Sequence, residues 1–305
     1  MKEYIFSVDE VHNEERIDKF LNDELDDLSR SYIQKMINDG NVSINDIPVK
    51  KSGLKIKADD TIRLTTPDAV IPGIVAENIP LDILYEDNDV IVVNKPKGVV
   101  VHPAPGHYSG TLVNALMYHC KENLSGINGI LRPGIVHRID KDTTGSVIAC
   151  KNDKAHNIVA KQLKEHSITR EYIAIVIGSL PTDHGTINAA IGRSTSDRKK
   201  MCINPVSGKN AVTHYDVIER FNGYTYVSCH LETGRTHQIR VHMSSIGHPI
   251  LGDVLYGGCI GKMPMKLDGQ CLHALKLGFV HPQTSEYIET VAPIPEYFEH
   301  LLTIL

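Results

Sequence analysis

Two early segments of the chain carry apolar residues every three or four positions, the spacing of one helix face. These segments, 16–25 and 29–40, predict two short amphipathic helices, and Gly40 marks the end of the second one. Residues 41–51 and 58–65 instead alternate apolar and polar side chains around turn-forming residues, which predicts short strands. The first part of the chain is therefore expected to be a compact helix–helix–strand module.

A proline-containing stretch separates this module from the remainder of the chain. Residues 66–80 hold three prolines and show no strong periodicity. Proline removes a backbone donor and biases the preceding residue toward extended geometry. We therefore predict a linker here and a division near residue 75, with one domain over residues 1–75 and a second over residues 76–305.

The second domain mixes strands and helices without the regular alternation of a parallel βαβ fold. Runs of β-branched and aromatic residues predict strands at 90–93, 99–101, 146–151, 169–180, 211–220, 224–233 and 277–282. Helical spacing of apolar residues predicts helices at 152–166 and 236–247. This mixture predicts an α+β fold with a central, mostly antiparallel sheet.

The composition is that of an ordinary globular protein and argues against membrane and secreted classes. The 305 residues are 41% hydrophobic and 23% charged, and no segment approaches the roughly 20 apolar residues of a membrane span. The N-terminus lacks the apolar core of a signal peptide, which favours a cytoplasmic location. Six scattered cysteines form no Cys-x-x-Cys pair, so a zinc site of that type is not expected.

The net charge of −5 is distributed unevenly near the N-terminus. Residues 1–27 carry ten acidic and three basic side chains, whereas residues 28–63 carry seven basic and four acidic ones. A basic patch over the second stretch fits contact with nucleic acid, but an ordinary solvated surface explains the same charges. The charges alone favour the solvated surface.

Residues 134–145, GIVHRIDKDTTG, are dense in reactive side chains. Glycines at both ends permit a tight loop around His137, Arg138, Asp140 and Asp142. A carboxylate beside arginines is favoured in its ionised form, and an ionised carboxylate in a closed pocket acts as a nucleophile or a base. A salt-bridged surface turn is the competing interpretation of the same residues.

A second group of polar residues lies on the predicted helix 236–247. His237 and Arg240 are three positions apart and project together, so Arg240 is placed to hold a carboxylate, with Arg235 at the helix start. His237 and His242 would lie about 140° apart around the helix, which argues against a shared metal ion. No metal site is therefore predicted.

Tyr172 is a third candidate, within the predicted strand 169–180. Most tyrosines in strands belong to the core, and the spacing alone favours that interpretation. The alternative is that its ring stacks on a nucleobase, a role that aromatic side chains take in RNA recognition.

The N-terminal module resembles the alpha-L RNA-binding domain, which is named after a small-subunit ribosomal protein. The matching sequences are RIDKFL, SRSYIQKMI, GNVSIN and ADDTIRL. In that family the second helix and the following loop present basic groups to structured RNA. The residues that the resemblance places in this region are Arg30, Lys35, Lys50 and Lys51.

The second domain resembles the RluA-type RNA pseudouridine synthases. GIVHRIDKDTTG is similar to the family's catalytic signature, and the other matching stretches follow in the family's order: YEDNDVIVVNKPKGVVVHPAPGH, REYIAIVIG, IGR…DRKKM, TGRTHQIRVH, GHPILGDVLYG and the CLHA…HP ending. With the N-terminal module, the chain is most similar to the D-type synthases of large-subunit ribosomal RNA. The resemblance implies the pseudouridine synthase fold and the isomerisation of specific uridines.

The resemblance also implies roles for single residues. Asp140 is the catalytic carboxylate, Tyr172 stacks on the target uracil, and Arg240 is the basic partner of Asp140, with Arg235 as the alternative partner. The residues expected to bind the substrate are Arg138, His137, Arg235, His237, Arg30 and Lys35. Because the family reaction only rearranges uridine, no cofactor is expected.

The sequence leaves alternatives open for the activity. A non-catalytic RNA-binding factor in ribosome assembly would not need the set Asp140, Tyr172 and Arg240. A glycoside hydrolase with Asp140 and Asp142 as paired carboxylates leaves the N-terminal module unexplained. The expected partner is structured RNA, ribosomal rather than transfer RNA, and the protein is expected to act as a monomer.

Overall fold

The structure divides into two compact units, Met1–Pro72 and Gly73–Leu305. It is a computed structural model, and it describes residues 2–25, 30–66, 74–103, 107–121, 123–127, 132–197, 199–258 and 265–305. The predicted linker overlaps residues 67–73, which lie outside the described residues, and the boundary near residue 75 stays a prediction.

Two helices packed against a four-stranded sheet make up the first unit. Its elements are β1 (Lys2–Ser7), a 3₁₀ helix (Glu10–His12), α1 (Ile17–Glu24), α2 (Arg30–Asn38), β2 (Val42–Ile44), β3 (Ile47–Pro48) and β4 (Thr61–Thr66). The strands pair antiparallel in the order β1-β4-β2-β3. Leu21 of α1 and Ile37 of α2 are buried in one cluster with Ile62 and Leu64 of β4. This confirms that the apolar residues at helical spacing form the helix faces that pack against the core.

A nine-stranded sheet with helices forms the second unit. Its elements are β5 (Ile83–Glu86), β6 (Val90–Lys95), α3 (Leu112–Cys120), β7 (Thr144–Cys150), α4 (Asp153–Lys164), β8 (Thr169–Ile177), β9 (His184–Asn188), β10 (Ile191–Arg193), β11 (Met201–Ile203), β12 (Val212–Phe221), β13 (Tyr224–Leu231), α5 (Gln238–Ser245), β14 (Leu272–Val280), β15 (Tyr287–Val291) and α6 (Glu296–Ile304). The sheet order is β5-β6-β7-β14-β8-β13-β12-β9, with β15 paired to β14. Among the described strands only β7 and β14 pair parallel, which confirms the α+β class with a mostly antiparallel sheet.

Strand β6 shows why apolar runs in this domain form strands. Ile91 and Val93 belong to the large core cluster that includes residues of α3, α5 and α6, whereas Val90 and Val92 pack with residues of α4. Successive strand side chains point to opposite faces of the sheet, and here both faces are covered. An uninterrupted apolar run is therefore stable in this position.

The short strand predicted at 99–101 does not form. The carbonyl groups of Val100 and Val101 accept hydrogen bonds from the amides of Leu112 and Val113, the first residues of α3. The backbone that would pair in a sheet thus satisfies two of the free amide groups at a helix start. None of the helices in the described segments is sufficiently long and apolar to cross a membrane.

Candidate active site

Asp140 lies on the loop that leads into β7, four residues before that buried strand begins at Thr144. Its Oδ2 accepts a hydrogen bond of 2.8 Å from Nη1 of Arg240, one hundred residues further along the chain. Its side chain is 20% exposed, so the carboxylate is accessible from one side. The geometry brings together the two residues that the resemblance pairs.

Arg240 is a buried guanidinium held between two carboxylates. It donates from Nε and Nη2 to the two oxygens of Asp253, at 2.7 and 2.9 Å, while Nη1 reaches Asp140. Burial acts to lower the pKa of Arg240, but the bonds and charges of Asp253 and Asp140 outweigh it and raise that pKa. The planar guanidinium of an arginine suits this double contact. The two bonds to Asp253 fix its position and leave Nη1 free to bind Asp140.

His237 also lies beside the Asp140 carboxylate. It caps α5 in the left-handed conformation, with a φ of 56°, and its Nε2 lies 3.9 Å from Oδ1 of Asp140. Its Nδ1 lies 2.8 Å from the hydroxyl of Tyr256, which also accepts the amide of Met201. Burial lowers the pKa of His237. The network favours a neutral ring whose Nε2–H points toward Asp140.

Tyr172 shares a cavity with this group. It sits in β8, is 8% exposed, and lines a cavity of about 50 Å³ together with Asp140, His237 and Arg240. Burial raises the pKa of Tyr172, so its phenol is protonated near neutral pH. The site therefore combines a paired carboxylate, a guanidinium and an aromatic ring.

Lys95, to which the sequence analysis assigned no role, forms hydrogen bonds with the backbone of the Asp140 loop. Its side chain is fully buried, and Nζ donates to the carbonyl groups of Pro96, Val99 and Lys141 at 2.8, 2.8 and 2.9 Å. Burial lowers the pKa of Lys95 to about 7, while nearby carboxylates act to raise it. The three carbonyl groups match the three donors of an ammonium group. Lys95 thus ties the residue after Asp140 to the end of β6.

Replacing Lys95 with methionine is expected to loosen the loop and destabilise the unit. Three carbonyl groups would lose this donor, which should lower the free energy of unfolding by about 3 kcal/mol. Urea denaturation measures this loss. Lys141→Met, in the same loop but with an exposed side chain, is the matched control and should cost less than about 0.5 kcal/mol. Equal losses in the two variants would contradict the supporting role.

Arg138 and Arg235 line the same cavity as Asp140 but do not form its ion pair. Arg138 is exposed and donates from Nη2 to Oγ1 of Thr236 at 3.3 Å. Arg235 donates from Nε to the carbonyl of Asn210 at 3.0 Å. Of the two arginines proposed as partner of Asp140, the structure thus places Arg240 there, and RNA contact by Arg138 and Arg235 stays a prediction.

His137 forms a hydrogen bond with the backbone of β7. Its Nε2 accepts the backbone amide of Ile148 at 3.0 Å, so the loop is fastened to β7 through this ring. Burial lowers the pKa of His137 to about 3, which keeps it neutral near pH 7. Its predicted contact with substrate has to come from the opposite edge of the ring.

In the first unit, Arg30 is engaged by an internal carboxylate. Asp18 is fully buried and accepts hydrogen bonds from Arg16, Arg30 and Gln34. Burial acts to raise the pKa of Asp18, but these bonds outweigh it and lower the pKa to about 2. Lys35 is exposed on α2. The contacts of Arg30 and Lys35 with RNA stay predictions.

One group of described residues has the spacing of metal ligands, away from those named as catalytic. Ligand atoms of Asp87, Asp89 and His281 lie within 4.8 Å of one another. Nε2 of His281 is 2.6 Å from Oδ2 of Asp87, and Oδ1 of Asp87 accepts the amides of Asp89 and Val90. These bonds stabilise the turn that precedes β6. The predicted absence of a metal stays a prediction.

Asp253, Tyr256 and Lys95 are the site residues that the sequence did not assign. Asp253 and Tyr256 fall in GHPILGDVLYG, a stretch that was matched to the family without roles for its residues. Their partners, Arg240 and Met201, lie well outside that stretch. A local pattern therefore marked the segment but not its contacts.

Models of known protein families match both parts of the chain. Residues 89–245 match the family model described as RNA pseudouridylate synthase, and residues 15–62 match the S4 domain. The chain is 51% identical over 302 residues to an RNA pseudouridine synthase of Bacillus subtilis, covering 99% of this chain and 98% of the relative. It is 44% identical over 297 residues to a ribosomal large subunit pseudouridine synthase D of Zymomonas mobilis, covering 95% and 93%.

A solved structure shares the fold over much of the chain. Human RNA pseudouridylate synthase domain containing 1 superposes with a TM-score of 0.58 at 29% sequence identity, over 71% of this chain and 84% of that one. Sequence and structure thus agree on the RluA-type resemblance and on the alpha-L module, which the S4 match confirms. The chain belongs to the RNA pseudouridine synthase family and carries an S4 domain ahead of its catalytic unit.

Proposed function

We propose that this protein converts uridine to pseudouridine in large-subunit ribosomal RNA, with Asp140 as the catalytic residue. One observation carries the assignment of Asp140: a carboxylate held by the buried guanidinium of Arg240, in a cavity that also holds the ring of Tyr172. A protein that only binds RNA has no need for this arrangement. It therefore weighs against the non-catalytic assembly factor.

The reaction needs what these three residues offer. The C1′–N1 bond of uridine breaks, a C1′–C5 bond forms, and the proton on C5 is lost while N1 gains one, so the atoms balance without a co-reactant. Asp140 acts as nucleophile or base, and both routes need an ionised carboxylate held at contact distance. Arg240 fixes and balances that charge. Tyr172 packs on the extruded base and offsets part of the cost of unstacking, about a few kcal/mol.

Ribosomal RNA is the substrate class that the relatives favour. The protein from Zymomonas mobilis and another from Neisseria meningitidis, each 44% identical, are named ribosomal large subunit pseudouridine synthase D. The S4 domain supplies a second surface for binding structured RNA. We expect the enzyme to act as a monomer in the cytoplasm, where such RNA is assembled.

The proposal is tested with ribosomal RNA from a strain that lacks the gene. After incubation with purified protein, the RNA is treated with carbodiimide, and reverse-transcription stops should appear at specific uridines of large-subunit RNA. The same stops should be present in RNA from the parent strain and absent before incubation. New stops in transfer RNA alone would move the substrate. No stops in any RNA would return the protein to the assembly-factor alternative.

A further inference from the structure

A groove lined by basic residues lies beside Tyr172 in the second unit. It encloses about 480 Å³ and shares Tyr172, Arg138 and Arg235 with the cavity that holds Asp140. The cationic residues that line it are Arg132, Arg138, Lys164, Arg170 and Arg235. Within the described part of the chain, no aspartate or glutamate lines this groove. Its positive charge is therefore not balanced along its own walls.

Arg170 is the buried cation of the groove. Its side chain is 8% exposed, and Nη2 donates to the carbonyl of Glu232 at 3.3 Å. Its Nε is buried and has no hydrogen-bond partner among the described residues. Burial lowers the pKa of Arg170, and the charge of Arg235 lowers it further. A buried guanidinium with an unused donor is costly, because a charge removed from water normally gains a counterion and full hydrogen bonding.

Gly234 leaves the end of this guanidinium room beside the backbone. A Cβ atom at Gly234 would lie 2.6 Å from Nη1 of Arg170, so a side chain there would require the end of Arg170 to shift. The neighbouring His102 is subject to the same field: burial, together with Arg132 and Arg138, lowers its pKa to about 4. The groove thus combines several cations with a neutral histidine, a lining that favours an anion.

The position of Arg170 relative to Tyr172 indicates which anion fits. The two residues are two positions apart on β8, so they lie on the same face of the strand, about 7 Å apart along it. One nucleotide spans from base to phosphate across its ribose over a distance of this order. A uracil packed on Tyr172 would therefore direct its phosphate into the groove.

We infer that the groove is a preformed phosphate subsite, in which Arg170 binds the RNA backbone phosphate attached to the uridine whose base packs on Tyr172. The inference rests on the proposed function for the identity of that base. Arg170 is a binding residue here, and the outer cations Arg132 and Lys164 guide the adjoining strand. Charge-assisted bonds to phosphate fix the register of an RNA without reading its sequence.

The first test compares the salt dependence of RNA binding. Arg170→Met is made in an Asp140→Asn background, so that large-subunit ribosomal RNA stays unmodified during titration with KCl. The variant should bind about tenfold more weakly, and the slope of log K against log salt should fall in magnitude by about one. Lys161→Met is the matched control, because Lys161 is exposed and lies outside the groove, so the substitution removes the same charge elsewhere. Equal slopes for the Arg170 and Lys161 variants would overturn the subsite.

The second test needs no change at position 170 and so does not depend on the folding of that variant. Uridine, uridine 5′-monophosphate and uridine 3′-monophosphate are titrated into the full-length protein by calorimetry. One of the two nucleotides should bind about tenfold more tightly than uridine, the gain expected for hydrogen bonds to a charged group. Equal affinity for all three would overturn the subsite. Tighter nucleotide binding by a protein that modifies no RNA would instead refute the proposed function alone.

Discussion

Pseudouridine formation is expected to fall by about 10³-fold or more when Asp140 is replaced with asparagine. The amide oxygen of asparagine can still accept the bond from Arg240, so the shape of the site is kept. The negative charge needed by a nucleophile or base is removed. Arg240 keeps its two bonds to Asp253, and the loss of unfolding free energy should therefore stay near 1 kcal/mol.

Single-turnover conversion of ribosomal RNA measures this effect, with thermal denaturation and RNA binding as checks on the fold. Asp142→Asn is the matched control, since it makes the same substitution two residues away on the same loop. We expect it to keep most of the activity. If the unaltered protein released free uracil and both variants lost that release, the paired-carboxylate hydrolase would be supported instead. Robust turnover by the Asp140 variant would remove Asp140 from the mechanism.

The sequence predicted the parts of the fold that local physical rules determine. Helix spacing gave α1, α2, α4 and α5, and β-branched runs gave the strands of the central sheet, because each pattern has to bury one face or both. The run at 99–101 misled for a physical reason. Apolar side chains there do enter the core, as Val101 does, but the backbone bonds to the start of α3 and not to a strand.

The candidate site was predictable as a pair of segments and much less so as a set of contacts. The spacing of His237 and Arg240 placed both on one side of α5, and both indeed approach Asp140. Asp253 could not be found in this way, because nothing in its own neighbours shows that Arg240 lies beside it. The burial of Lys95 likewise depends on carbonyl groups brought together only by the finished fold.

Replacing Arg240 with methionine is expected to abolish activity and to destabilise the protein together. Asp253 is 1% exposed, and the substitution would leave its carboxylate buried with only backbone amides as donors. Breaking a buried ion pair by removing one partner typically costs about 3–5 kcal/mol. Asp140 would lose the bond that orients it. Urea denaturation measures the first effect, and single-turnover conversion at saturating RNA measures the second.

Two further variants separate these effects. Arg235→Met makes the same substitution at an arginine without a carboxylate bond in the described structure, and should cost less than about 1 kcal/mol. Adding Asp253→Asn to Arg240→Met removes the unpaired charge, so part of the lost stability should return while activity stays absent. A double variant less stable than Arg240→Met would mean that Asp253 is not held mainly by this pair. Because stability and catalysis recover differently, the pair of measurements shows that Arg240 serves Asp253 in folding and Asp140 in the reaction.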